Sequence, residues 1–184
     1  PSTSHSVIAL AQCYPWHAGD RVLLFEGEFP TNVTPWQRAA ETFSLEIISQ
    51  SLAPWHDESG DGLQVLEEAL SHGVRLVAVS AVQFQTGLRM PLKEMAALCH
   101  QHGAELFVDA MQACGVVPID VADAEIDYLA CGSHKWLMGL EGAGFLYVRQ
   151  PLAKKLVPRI ASWLSHEDPV AFLFEGSGKL RYDR

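Results

Sequence analysis

Short apolar runs alternate with amphipathic segments along most of this chain, and this alternation most constrains its fold. The β-branched run at residues 74–82 predicts a buried strand. The clearest amphipathic segment is 91–102, which has Pro91 in its first turn and Gly103 just beyond its end. Strands that alternate with helices form parallel sheets covered by helices. We therefore predict an α/β fold, a three-layer sandwich with a mainly parallel sheet.

The same patterns give the bounds of the other elements. Helices are predicted at residues 4–12, 35–42, 63–70, 91–102 and 152–157. Strands are predicted at 21–25, 45–49, 74–82, 105–108, 128–130 and 145–148. The chain starts at a predicted helix start and ends without a capping element, so we expect a fragment of a larger protein.

Composition excludes several classes of function. Hydrophobic residues make up 48% and charged residues 19% of the chain, which is typical of a folded globular domain. The formal net charge of −9 argues against a nucleic-acid partner. No apolar run is long enough to span a membrane, and the first residues do not resemble a signal peptide. The four cysteines are scattered without a CxxC pair, so we expect a reduced, cytoplasmic location and no metal site.

Two residues that could take part in catalysis stand at positions that a sheet would hold in place. Asp109 follows an apolar run, which predicts that it lies at the carboxyl end of a buried strand, where α/β sheets bind ligands. Lys135 lies in a loop between a Gly-Ser turn and a second glycine-containing stretch. Alone, each could be a solvated charge or a helix cap. Together they supply the amine and the anion that an enzyme using pyridoxal 5′-phosphate (PLP) needs.

Three segments around these residues resemble the class V aminotransferase family of fold-type I PLP enzymes: LFVDAMQ at 106–112, GSHKWL at 132–137 and GFLYV at 144–148. That family includes cysteine desulfurases, selenocysteine lyases, kynureninases and isopenicillin-N-epimerase-like proteins. The resemblance, which covers residues 2–156, implies that 1–157 form part of the large PLP-binding domain. Residues 158–184 would begin the connection to an absent C-terminal domain. The intact sheet would have seven strands, with 145–148 a candidate antiparallel edge.

The resemblance also assigns roles around the cofactor ring. Lys135 would form an imine with the cofactor aldehyde and later move the proton at the substrate Cα. Asp109 would pair with the pyridine nitrogen and keep it protonated. Gln112 would hydrogen-bond the phenolic oxygen. Phe29 would stack on one face of the ring and exclude water from it.

The cofactor phosphate would lie at the start of the first helix. By resemblance, Thr3 and Ser4 make the first contacts, because a helix N-terminus offers unpaired N–H groups and a favourable dipole. Ser133 and His134 would add further contacts. Without the resemblance, a Ser or Thr at this position predicts only a helix N-cap.

This sequence departs from the desulfurases in ways that affect the reaction. Desulfurases usually carry His where Phe29 stands, and Ser where Gly132 stands. The family often has Asn at the position of Phe84. The catalytic cysteine and the arginine that grips the substrate carboxylate lie downstream of this segment, so none of the four cysteines present takes that role.

Taken together, these features predict a PLP-dependent enzyme that acts at Cα or Cβ of a small amino-acid substrate, cysteine desulfurase- or lyase-like in the broad sense. Epimerase- or aminotransferase-like activity is the alternative, favoured by Phe29 and the His-Lys-Trp sequence at 134–136. A truncated fragment that folds without turnover is a third possibility. A homodimer is expected from the family. A Rossmann-type nucleotide binder would need a glycine-rich fingerprint, which no predicted strand precedes.

Overall fold

The structure, a computed structural model, describes residues 2–56, 60–168 and 170. The α-helices are α1 (Thr3–Cys13), α2 (Thr34–Phe43), α3 (Ala53–His56), α4 (Gly62–Ser71), α5 (Leu92–Gln101) and α6 (Gln150–Ala153). The strands are β1 (Arg21–Phe25), β2 (Glu46–Gln50), β3 (Val74–Ser80), β4 (Glu105–Asp109), β5 (Tyr128–Gly132) and β6 (Gly144–Val148). Short 3-10 turns lie at Pro30–Asn32 and Trp163–Ser165.

The strands form one sheet in the order β2-β1-β3-β4-β5-β6. β1 to β5 are mutually parallel, whereas β6 pairs with β5 in the antiparallel direction and forms an edge. The predicted α/β fold with a mainly parallel sheet is therefore confirmed, and the antiparallel edge lies where it was predicted.

Two apolar layers cover the two faces of this sheet. On one face, α4 and α5 pack against alternate side chains of the central strands; this layer includes Leu66, Leu70, Met95, Cys99, Leu23, Val77, Leu106 and Leu129. On the other face lie α1, α2 and α6, in a layer that includes Val7, Leu10, Trp36, Leu152, Val22, Leu76 and Phe107. Because both faces are covered, β3 and β4 are buried along almost their whole length, which explains why they are near-continuous apolar runs.

The strand order creates a crevice at the carboxyl ends of β1 and β3. The chain passes from β1 to β2 on one side of β1 and then to β3 on the other side, so the connections diverge there. Open α/β sheets bind ligands at such a switch point. Ser80 and Asp109, the last residues of β3 and β4, are register partners at this edge.

The helix predicted at 152–157 is wrong in its bounds, because α6 is a single turn over Gln150–Ala153. Lys154 caps that turn. Beyond it, the N–H of Val157 donates to the carbonyl of Cys13 at the end of α1, at 2.7 Å. Pro158 also disfavours helical backbone at the residue before it. The chain therefore leaves the helix to pack along α1.

The predicted boundary at residue 157 stays a prediction. The structure describes 158–168 and 170 beyond it, and the rest of the predicted connection to residue 184 lies outside the described residues. No helix in the described part of the chain is both long and apolar enough to cross a membrane.

Candidate cofactor site

A cleft opens at the carboxyl edge of the sheet, between the start of α1, the turn after β1 and the loop after β5. Seven of the eight predicted site residues line it: Thr3, Ser4, Phe29, Asp109, Gln112, His134 and Lys135. Its other lining residues are Ser2, Thr31, Ser80, Phe84 and Met111. Segments far apart in sequence thus converge on one concave surface.

Asp109 is a buried acid on the floor of this cleft, with 5% of its surface exposed. Its Oδ1 accepts a hydrogen bond from the Met111 N–H at 2.9 Å. The pKa of Asp109 is raised to about 6, chiefly by burial and also by the nearby charge of Glu28, against the opposing Met111 hydrogen bond and Lys135 charge. A carboxylate that is costly to bury and has a second oxygen for another donor suits a cationic ligand.

Lys135 projects from the loop that follows β5. Its Nζ lies 5.7 Å from the centre of the Phe29 ring, within the range of a cation–π contact. The loop is closed on itself, since Gly139 N–H donates to the Ser133 carbonyl at 2.8 Å and Ser133 N–H donates to the Ala143 carbonyl at 3.0 Å. Lys135 is therefore an accessible amine on a hydrogen-bonded loop.

Ser133 is the one predicted site residue that does not line the cleft. Its hydroxyl donates to the backbone carbonyl of Leu140 at 2.6 Å, inside the loop. Gly139 allows this close approach, because a Cβ there would lie 2.7 Å from the Ser133 Cβ. In this structure Ser133 holds the loop together, and its predicted contact with phosphate stays a prediction.

The start of α1 forms one end of the cleft. Ser2 caps the helix, its Oγ accepting from the His5 N–H at 3.3 Å. The Thr3 hydroxyl donates to the Met111 sulfur at 3.3 Å, and the Ser4 and Thr31 hydroxyls hydrogen-bond each other at 3.0 Å. The side chains of this first turn are thus held by the protein, and its backbone N–H groups and positive dipole end lie at the cleft.

Gly132 has a packing reason to be glycine. A Cβ at this position would meet the Thr3 Oγ1 at 3.1 Å, the Met111 sulfur at 3.2 Å and the His134 Nδ1 at 3.4 Å. A side chain here would make these neighbours give by a few tenths of an ångström, so the contact between α1 and the segment after β4 is fitted to glycine.

Aromatic rings form the outer wall of the cleft. Phe29 and Phe84 meet edge to face, with centroids 5.3 Å apart and an interplanar angle of 82°. They are 45% and 39% exposed, so both rings present surface to the opening. Behind them the Trp136 Nε1 donates to the Gln112 Oε1 at 3.3 Å, which orients the Gln112 amide.

Two polar residues of this site were missed by the sequence reasoning. Glu28 is 8% exposed and accepts hydrogen bonds from the Ser80 N–H at 2.6 Å and from the Ser80 hydroxyl. Ser80 could have been found, because it ends a strand as Asp109 does. Glu28 carried no such signal, since its partner lies 52 residues away in sequence.

These residues fit PLP in chemical terms. The cofactor has a basic ring nitrogen, an aldehyde, a flat ring and a phosphate. The cleft offers a buried carboxylate in Asp109, an amine in Lys135, an aromatic face in Phe29 and a helix N-terminus in α1. Fold and cleft together define an α/β domain of the PLP-dependent transferase-like class.

Comparison with known proteins gives the family. The model of the family "Aminotransferase class-V" matches residues 1–162. The chain belongs to this family.

Relatives are found among both curated proteins and solved structures. The chain is 32% identical over 170 residues to "Uncharacterized aminotransferase YcbU" of Bacillus subtilis, covering 91% of this chain and 43% of that protein. It is 33% identical over 141 residues to a cysteine desulfurase of Escherichia coli, covering 77% of this chain and 34% of that protein. A solved variant of C-DES, with glycine covalently linked to its PLP cofactor, superimposes with a TM-score of 0.86 at 27% identity, over 97% of this chain and 46% of that one. The chain thus spans less than half the length of these relatives.

Proposed function

We propose that this protein is a PLP-dependent enzyme that breaks or forms a bond at Cα or Cβ of an amino acid, in the broad manner of cysteine desulfurases and lyases. The observation that carries the proposal is the placement of Asp109 and Lys135 on one cleft. The pKa of Asp109 is raised by burial, as is common for residues at functional sites. Relatives named cysteine desulfurase support the choice of reaction class.

The residues of the cleft divide the work of holding the cofactor. Asp109 would accept a hydrogen bond from the protonated ring nitrogen, and Gln112 would donate to the phenolic oxygen. Phe29 would cover one face of the ring. The first turn of α1, with Thr3 and Ser4, would hold the phosphate through backbone N–H groups.

Lys135 is the residue that acts on the substrate. PLP, when bound, withdraws electrons from the substrate Cα. The Lys135 amine would hold the cofactor through its aldehyde and, once the substrate amine has taken its place, could take a proton from the substrate Cα and return it. The loop bonds of Ser133 support this residue, and His134 lines the cleft beside it, where it would add a further contact to the phosphate.

A second activity, epimerase- or aminotransferase-like, is favoured by the aromatic wall. Phe29 stands where desulfurases usually carry His and Phe84 where the family often has Asn, and the two form an apolar, edge-to-face pair at the opening. A stacked ring gives no proton donor or acceptor to a leaving sulfur. One relative is named an aminotransferase, which supports this alternative.

The proposal extends to assembly and location. Residues 1–157 would form part of the large PLP-binding domain, and 158–184 the start of a connection to a second domain. A homodimer is supported by exposed apolar side chains next to Lys135, namely Trp136, Leu137, Met138 and Leu140. A cytoplasmic location is supported by free thiols at all four cysteines.

Visible absorption tests the proposed function. Protein incubated with PLP should gain a band at the violet edge of the visible spectrum, and Lys135→Ala should lack it. Lys93→Ala is the matched control, because Lys93 pairs with Asp123 on the surface and should leave the band intact. A band of equal strength in Lys135→Ala would contradict the role of Lys135, and no band in the parent protein would favour a fragment without turnover.

A further inference from the structure

Glu28 is a buried acid beside the cleft that makes no contact with it, and it joins two segments that do. Its Oε1 accepts from the Ser80 N–H at 2.6 Å, and its Oε2 accepts from the Ser80 hydroxyl. Burial raises the pKa of Glu28, while the hydrogen bonds from Ser80 lower it. Both carboxylate oxygens thus serve to fasten the turn after β1 to the end of β3.

A second bond fastens the same two segments beside the first. The Gln83 Nε2 donates to the carbonyl of Gly27, the residue before Glu28. Gly27 has a φ of +75°, the left-handed conformation in which glycine is unstrained. Gln83 is itself fixed, because its Oε1 accepts from the N–H groups of Gln85 and Thr86 at 2.7 and 3.3 Å.

The residues that make these polar bonds are sequence neighbours of the aromatic wall. Phe29 follows Glu28, and Phe84 follows Gln83, so each ring adjoins a fastened residue. The rings meet edge to face at 5.3 Å. An exposed ring on a turn has little packing to hold it, so its direction depends on how firmly the backbone beneath it is held.

We propose that Glu28 is a positioning residue, which acts through Phe29. By its two hydrogen bonds to Ser80 it fixes the turn that carries Phe29, and so holds the Phe29 ring in the orientation that covers the cofactor. The role in cofactor binding rests on the proposed function. An apolar residue at this buried position would avoid the cost of burying a carboxylate, and would lose both bonds to Ser80.

Fluorine NMR of the cofactor-free protein tests the anchoring directly. The phenylalanines are replaced by fluorophenylalanine, and the signals of Phe29 and Phe84 are assigned with Leu variants. Glu28→Ala should shift both signals and leave those of other phenylalanines in place. Glu28→Gln should restore much of the parent spectrum, because its amide oxygen still accepts from the Ser80 N–H.

The control is Glu26→Ala, which removes an exposed acid from the same turn and should move neither signal. Ser80→Ala removes only the hydroxyl bond and should give a smaller shift in the same direction. It also tests the proposal if Glu28→Ala fails to fold. Unchanged Phe29 signals in both variants, or equal shifts throughout the phenylalanines, would overturn the proposal.

A double-mutant cycle then tests whether Glu28 acts through Phe29. The probe is 4′-deoxypyridoxine 5′-phosphate, which has the cofactor's ring and phosphate but no aldehyde to react with Lys135. Glu28→Ala should weaken its binding about tenfold in the parent protein and hardly at all in a Phe29→Ala background. Equal losses in both backgrounds would overturn the proposal. If the parent protein binds neither this probe nor PLP, the proposed function fails, and the fluorine spectra still decide the anchoring.

Discussion

Two buried aspartates stand at opposite ends of the sheet, and their surroundings differ. Asp127 precedes β5 at the amino end of the parallel strands and is wholly buried. Its Oδ2 accepts from the Leu106 N–H at 2.8 Å and lies 2.9 Å from the His100 Nε2, and its Oδ1 lies 2.6 Å from the Arg149 Nη2. This carboxylate has two hydrogen-bonding neighbours and one ion pair, and it joins β4, α5 and the residue after β6.

Asp109, at the carboxyl end of β4, is almost as buried but has fewer partners within the protein. Its hydrogen bond within the protein comes from the Met111 N–H, and its closest charged neighbours include the acid Glu28 as well as Lys135. Removing one member of a buried, partnered set of charges is strongly destabilising, whereas a buried carboxylate with few partners weakens the fold and is available to a ligand. The amino end of the parallel strands therefore contributes to stability, and the carboxyl end carries the binding site.

The largest expected effect is a loss of folding stability when Asp127 is replaced. Asp127→Ala leaves Arg149 and the Leu106 N–H without their buried partner, so the free energy of unfolding should fall by about 3–5 kcal/mol. Urea unfolding measures it. The matched control is Asp123→Ala, which removes an acid from the exposed ion pair with Lys93 and should cause almost no change. Equal stabilities of the two variants would contradict a stabilising role for the buried Asp127.

The next effect is a gain of stability when Asp109 is replaced, and its size depends on pH. Burial raises the pKa of Asp109 from 3.8 to about 6 in the folded state, so the folded protein binds more protons than the unfolded chain between these values. Stability of the cofactor-free protein should therefore fall as pH rises through this window, by about 3 kcal/mol at most. Asp109→Asn should remove this loss and be more stable at neutral pH. Urea unfolding at several pH values checks it; a less stable Asp109→Asn protein would contradict it.

A smaller effect is expected on binding at the same residue. Asp109→Asn keeps the side-chain oxygen that accepts from Met111 but loses the charge that pairs with the ring nitrogen. A charge-assisted hydrogen bond contributes about 1.5–3 kcal/mol, so PLP affinity should fall about 10- to 100-fold. Equilibrium titration of PLP measures the affinity, with Asp123→Asn as the control. Unchanged affinity would show that Asp109 is merely a strained acid.

The smallest effect concerns the rim of the cleft. Trp136→Phe removes the hydrogen bond from its Nε1 to Gln112 and keeps most of the ring surface. A neutral, half-exposed hydrogen bond of this kind contributes about 0.5–1 kcal/mol, so PLP affinity should fall by about threefold. The same titration detects it. A loss as large as that of Asp109→Asn would place the centre of recognition at the rim instead of the floor.

Much of the cofactor end was predictable from sequence because its signals are local. An apolar run followed by Asp109 places an acid at a strand end, and the glycines around Lys135 predict a loop. These features depend on a few neighbouring residues, so they can be predicted without knowledge of the tertiary structure. The antiparallel direction of β6 was expected from the family resemblance and not from a local pattern.

The rest depends on contacts between distant segments. Glu28 and Ser80 meet only because β1 and β3 are neighbours in the sheet. The Ser133 hydroxyl turns into its own loop because Gly139 lets the backbone approach. The helix predicted at 152–157 is limited to one turn because the chain there bonds to the end of α1. No local pattern records these bonds.

The most direct test of the account is to locate the cofactor on the chain. Protein saturated with PLP is reduced with borohydride, digested, and its modified peptide identified by mass spectrometry. The account predicts a single major attachment at Lys135, lost in Lys135→Ala and retained in Lys93→Ala. Attachment spread over the surface lysines, or concentrated on any lysine but Lys135, would contradict the assignment of this cleft as the PLP site.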